Sequence, residues 1–238
     1  MGLHPNSRGI GQSESQGGRW DCSQRVEAQW HRAGAGTQKE NDMVDVLEGP
    51  LEGLGGERFL QCGGVDGGGL VTYYVLFVIR IPDCVVHIAG ITTRPNESWM
   101  LQMGRNLIDE ESGALASKRY LIVDRDMKYT PQFRKPLKDS RTEVIRLPPR
   151  LPNLTAFAER FVRSIKEECL ARMIFVGQAS LRRAIGEYMT HYHAERNHQG
   201  LNNMLILAQP TDAANDDAFI HCRQRLGGML NYYHRAAA

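Results

Sequence analysis

The sequence predicts an α/β fold, a mixed sheet flanked by helices, preceded by a polar leader. Two β-branched and aromatic runs carry the first part of this expectation: LVTYYVLFVIRI at 70–81 and CVVHIAGIT at 84–92 flank the turn signal Pro82-Asp83 and read as an antiparallel hairpin. A short apolar strand, RYLIV at 119–123, carries the second. The third is the order of what surrounds it: strand, strand, helix, strand, helix, strand, helix, helix. Such an order places helices on the faces of a sheet that has an antiparallel start and a parallel centre.

Each segment follows from local chemistry. The first 69 residues hold 16 of the 24 glycines in aperiodic text such as GQSESQGGRWDCSQ. So little apolar periodicity cannot offset the entropy of ordering a chain, and residues 1–57 are expected to form a largely disordered leader with at most a short helix near Ser23 to His31. Residues 58–69 are expected as a Gly-rich connector containing a degenerate first strand. GGVDGGG at 63–69 lacks the preceding strand and following helix of a phosphate loop and reads as a turn or connector. Residues 70–200 form the expected catalytic core-like domain. Asn96 or Thr93 caps a helix through Trp99, Met100, Met103 and Leu107. Further helices are expected over Gln132 to Lys138, Leu154 to Leu170 and Ala179 to His193, with a strand at Glu143 to Leu147. Pro148, Pro149 and Pro152 interrupt the chain before the second of these helices. This element order is the outline of the ribonuclease H-like fold. Residues 201–238 form a tail whose end, RQRLGGMLNYYHRAAA, suits a short helix against the core or a contact with DNA or a second protomer.

Charge is unevenly distributed. A net charge of +2 conceals an acidic leader, with 5 Lys and Arg against 9 Asp and Glu in 1–57, and a basic block, with 16 against 7 in 118–183. That block is the electrostatic footprint of a phosphate-backbone binder. Five scattered cysteines without a CxxC pair argue against a zinc ribbon or disulfide framework and for reduced thiols in a cytoplasmic protein. The longest apolar run, Leu70 to Ile79, is too short to span a bilayer, so no membrane association is expected.

Asp124 ends the strand RYLIV and Glu159 lies in the first turn or so of a cationic helix, with 34 residues between the two. Two converging carboxylates of this kind can hold a hard divalent ion, and two such ions can clamp the attacking and leaving oxygens of a phosphodiester. Arg163 and Lys166 share the helix face of Glu159, with Arg160 beside it. Asp126 is a second carboxylate near the strand end, and Lys128 a cation near it. His191, His193 and His198 cluster around Tyr192, but a spacing of two turns His191 and His193 about 200° apart on a helix, which favours polar helix-end roles over zinc.

Three stretches, YLIVDRDMKYT at 120–130, RLPPRLPNLTAFAERFVRSIKEECL at 146–170 and HYHAERNHQGL at 191–201, resemble the integrase core of bacterial insertion-sequence transposases and retroviral-type integrases. The resemblance covers roughly Gly69 to the end of the chain. It implies a ribonuclease H-like domain in which three acids bind two Mg2+ or Mn2+ ions and a water or DNA 3′-hydroxyl attacks the scissile phosphate. Asp124 and Glu159 take the places of the second and third acids as catalytic and metal-binding residues. Lys128, Arg150, Arg160, Arg163 and Lys166 would contact DNA, and the implied partners are DNA and further copies of the chain.

The first acid is expected on the first strand, about eleven residues before GLVTYY, and that count lands on Arg58. Glu57 is one residue away, which on a strand points to the other face. Asp66 lies in a glycine-rich run and Asp83 in a turn. The sequence therefore leads to a family-like core behind an unrelated leader, altered in frame or start upstream of about residue 69. Its catalysis is expected to be impaired; the alternative is an inactive nucleic-acid-binding remnant.

Overall fold

The computed structural model describes residues 54–116, 118–124, 126–146, 156–207 and 219–235. The expectations for the leader up to 53, for the proline-broken segment and for Arg150 fall outside these residues.

The first strand, β1 (Leu54–Asp66), starts inside the stretch expected as leader and runs through the expected connector. It pairs antiparallel with β2 (Gly69–Arg80) from Gly55↔Arg80 to Asp66↔Gly69. Residues between Leu54 and Gly69 are thus part of the fold and not of an unrelated leader. Gly67 and Gly68 form the turn, where the Gly68 N–H donates to Asp66 Oδ1 at 2.8 Å and Gly69 adopts φ +112°. Glycine also serves the strand itself: a Cβ on Gly64 would lie 2.8 Å from the Tyr73 ring, so the ring packs where a side chain would stand.

The expected hairpin of β2 with β3 (Val86–Thr92) forms, with a register shift at Leu76/Phe77. The helix α1 (Glu97–Leu107) is capped by Asn96, whose Oδ1 accepts from the Trp99 N–H at 2.9 Å. Then follow β4 (Tyr120–Val123), α2 (Pro131–Asp139) capped by Thr130, and β5 (Glu143–Arg146). The chain continues with α3 (Ala156–Glu168) and α4 (Gly177–Ala194). The sheet order is β3-β2-β1-β4-β5, with β1, β4 and β5 parallel and β2 antiparallel to β1. This is the ribonuclease H-like mixed sheet that the element order outlined.

Alternation along the strands divides the core. One face carries Leu60, Tyr73, Val75, Phe77 and Ile79 against Phe161 and Ile165 of α3 and Leu181, Ile185 and Tyr188 of α4. The other carries Val78, Leu121 and Val123 against Met100 and Leu107 of α1 and Phe133 and Leu137 of α2. The tail, for which a short helix was one of the alternatives, forms a two-stranded hairpin of β6 (Ile220–Arg225) and β7 (Leu230–Arg235). Alternating polar and aromatic residues around Gly227 and Gly228, both at positive φ, favour strands over a helix. Among the described residues no helix is long and apolar enough to cross a membrane.

Candidate active site

Asp124 and Glu159 come together at the carboxyl end of β4. The parallel pairing Glu57↔Val123 sets the register of β1 against β4, so the next residue on each strand, Arg58 and Asp124, projects on the α3 side of the sheet. On α3, Ala158, Phe161 and Ile165 bury one stripe, which turns Glu159, Arg163 and Lys166 outward.

Between the two acids stands Arg58. Its Nη1 lies 3.0 Å from Glu159 Oε1 and its Nε 3.6 Å from Asp124 Oδ2. The acidic side chains are half-exposed, so solvent screens these ion pairs to about 1 kcal/mol or less apiece. Their effect is positional: a permanent cation holds the space toward which both carboxylates converge. A guanidinium cannot donate an electron pair to a metal, and its charge opposes a divalent ion placed beside it. Among the described residues no group of three His, Cys, Asp or Glu side chains is gathered as metal ligands. The residues present therefore do not fit the two-ion centre that the resemblance implied.

Glu57 points the other way. It is 3% exposed, and neither carboxylate oxygen has a hydrogen-bond partner among the described residues. Burial raises its pKa to about 8. The Tyr129 hydroxyl is likewise buried without a partner, and burial and then the nearby Glu57 charge push it well up. The one-residue offset read from the sequence thus becomes a separation by the whole thickness of the sheet.

Lys128 is on that far side as well. Its Nζ pairs with Asp126 Oδ2 at 2.7 Å and lies over the rings of Phe59 and Tyr74, so neither Lys128 nor Asp126 joins Asp124 and Glu159. Arg160, Arg163 and Lys166 are exposed on α3. The sequence reading missed a second cationic hollow, lined by Arg134, Lys135, Lys138 and Arg141, although the charge count of 118–183 already contained it.

The histidines have structural partners. His193 Nε2 accepts from the Val86 N–H at 3.0 Å, tying α4 to β3, and burial lowers its pKa to about 4. His198 Nε2 donates to the Tyr192 carbonyl at 2.7 Å. His191 faces Glu195, a buried carboxylate that also receives Arg225 through Nε and Nη2 at 2.7 and 2.6 Å and Arg223 at 3.4 Å. Those Arg225 hydrogen bonds are the main cause holding the Glu195 carboxyl below its usual value.

Residues 140–205, less than half of the chain, match the family model described as integrase core domain. No curated protein matches the sequence. Among solved structures, the simian T-cell lymphotropic virus intasome in complex with PP2A regulatory subunit B56 gamma is 10% identical at a TM-score of 0.48, over 76% of this chain and 66% of that one. The HTLV-2 integrase catalytic core domain in complex with magnesium is 9% identical at 0.48, over 63% and 91%. The catalytic domain of Mos1 mariner transposase is 13% identical at 0.46, over 71% and 79%. With the matched segment containing Glu159, and with the sheet order above, the chain resembles the integrase core domain of bacterial insertion-sequence transposases and retroviral-type integrases.

Proposed function

We propose that this chain is a DNA-binding core of the integrase and transposase type, built for DNA integration or transposition and impaired in metal-dependent phosphodiester cleavage and strand transfer. Asp124 and Glu159 are its two remaining catalytic acids. The observation that carries the proposal is the ion pairing of Arg58 with both of them. A third acid at that strand position would complete a cluster of carboxylates; Arg58 instead adds a positive charge where positive ions would have to bind. Phosphoryl transfer depends on positioning and on charge stabilisation at the phosphate, so losing one ligand and gaining one cation depresses the rate steeply. Binding to DNA draws on other residues, the exposed Arg160, Arg163 and Lys166.

The test is a strand-cleavage and strand-transfer assay in Mn2+, run with the wild type, Arg58→Asp and Arg58→Asp/Asp124→Asn, alongside calorimetric titration of Mn2+. The expected result is a wild type at least about 100-fold slower than Arg58→Asp, tighter Mn2+ binding by Arg58→Asp, and loss of both gains in the double variant. A wild type as fast as Arg58→Asp would overturn the impairment. A folded Arg58→Asp protein that neither binds Mn2+ nor cleaves would overturn the assignment of Asp124 and Glu159.

A further inference from the structure

On α3, Arg160 and Ser164 are four residues apart and lie about 100° and 140° around the helix from Glu159. They form one wall of a cavity of about 530 Å3, closed by Ile79, the Tyr192 ring and the loop after α4. That volume is within the range of small-molecule sites. Its lining combines three chemistries. Phe157 offers partly exposed aromatic surface, backed by the buried Ile79 and Tyr192. Asn197 and Gln199 bring side-chain amides with both donor and acceptor atoms, and both residues are exposed. Arg160 brings a cation that has no carboxylate within ion-pair distance among the described residues, and Arg196 brings a second guanidinium.

The walls are held in place before anything binds. Arg196 pairs with Glu168 at 2.8 Å, reaches Ser164 Oγ at 3.5 Å and lies 5.9 Å from the Tyr192 ring centre. His198 fixes the loop through its bond to the Tyr192 carbonyl, and the His198 N–H donates to the Met204 carbonyl at 3.1 Å. A preorganised pocket loses little conformational entropy when it is filled.

We infer that this cavity binds a single unpaired nucleotide of the DNA strand that passes over Glu159, its base against Phe157 and its phosphate at Arg160. The inference rests on the DNA reading above and extends it from the backbone to one base. A planar group with hydrogen-bonding edges and an attached anion matches the three kinds of lining at once. A base still paired in a duplex cannot enter a concave site of this depth, so the occupant is extrahelical or in a single-stranded end.

The test measures fluorescence anisotropy of the full chain with blunt duplexes and with duplexes carrying a short single-stranded end, the latter also labelled with 2-aminopurine. The overhanging DNA should bind roughly tenfold more tightly than the blunt DNA, with quenching of the 2-aminopurine. Ser164→Leu, which fills the cavity without changing charge, should abolish the preference and the quenching while leaving blunt-duplex affinity within about twofold. Asn197→Ala, at an exposed position, should reduce the preference and guards against a folding defect in the filled variant. Equal affinity for both DNAs, or a preference that survives Ser164→Leu in a folded protein, would overturn the inference and leave the DNA reading intact. Absence of binding to either DNA would overturn both.

Discussion

At the scale of single residues, Arg58 and Glu57 show how much one step along a strand decides. Adjacent in sequence, they face opposite sides of β1: Arg58 enters the carboxylate pair, and Glu57 enters a core in which no described residue hydrogen-bonds its carboxylate. The folded-state carboxyl of Glu57, raised to about 8 from 4.5, keeps its proton across a range in which the unfolded chain has released it. Its contribution to stability is therefore fully present below pH 4.5 and is lost as the pH rises through about 8. The expected outcome is a melting temperature that falls by several degrees between pH 5 and pH 8 in the wild type, and a flatter profile in Glu57→Leu, measured by circular dichroism. A wild type with no decline over that interval would show the carboxyl to be solvated. An acid placed at Arg58 would stand beside both Asp124 and Glu159, because the Arg58 side chain reaches both carboxylates.

Elements behave as units through the contacts that bind them to the sheet. The hairpin β6–β7 is mostly exposed, with Ile220 and Tyr233 each 66% accessible, and a two-stranded hairpin is marginal in water by itself. It is held to α4 by the Arg225 fork on Glu195, 2% exposed at its side chain, by the Leu226 N–H bond to Glu187 Oε2 at 2.8 Å, and by the buried Leu226 and Leu230. Removing the carboxylate leaves a partly buried guanidinium uncompensated. Glu195→Ala should cost about 3 kcal/mol of hairpin docking, read as faster hydrogen exchange and proteolysis across 220–235 while the central strands stay protected. Uniform loss of protection over the whole chain would mean instead that the hairpin and core unfold together. For α3, the buried stripe was legible in the periodicity of Ala158, Phe161 and Ile165, and that stripe turns Glu159 outward. The hairpin was not legible, because its short alternating segments flank glycines in a tail whose polar residues also suit a helix end.

Over the whole molecule, the basic block of 118–183 is divided between two surfaces: α3 with Arg160, Arg163 and Lys166, and the hollow at α2 with Arg134, Lys135, Lys138 and Arg141. Linear charge density cannot distinguish them, since α2 and α3 cover opposite faces of the sheet. Neutralising the α3 set (Arg160→Gln, Arg163→Gln, Lys166→Gln) should lower the slope of log affinity against log salt by up to about 3, whereas the equivalent change at α2 should alter it little if DNA lies over the acids. The reverse result would locate the DNA on the α2 face. The ribonuclease H-like order of elements was readable from Gly69 onward, as were the strand-end position of Asp124 and the helical position of Glu159. The structure extended that order back to Leu54.

What the sequence determined by itself is local: apolar runs that must be strands, stripes that must be helix faces, and a 34-residue interval that delivers one acid from a strand and one from a helix. What only the tertiary structure decided is non-local. The glycine-rich text at 54–66 becomes a 13-residue strand because β2 on one side and β4 on the other satisfy its backbone hydrogen bonds, which no local propensity reveals. With that register set, the two-residue period of a strand leaves no freedom: Arg58 stands between Asp124 and Glu159, and Glu57 is buried behind them.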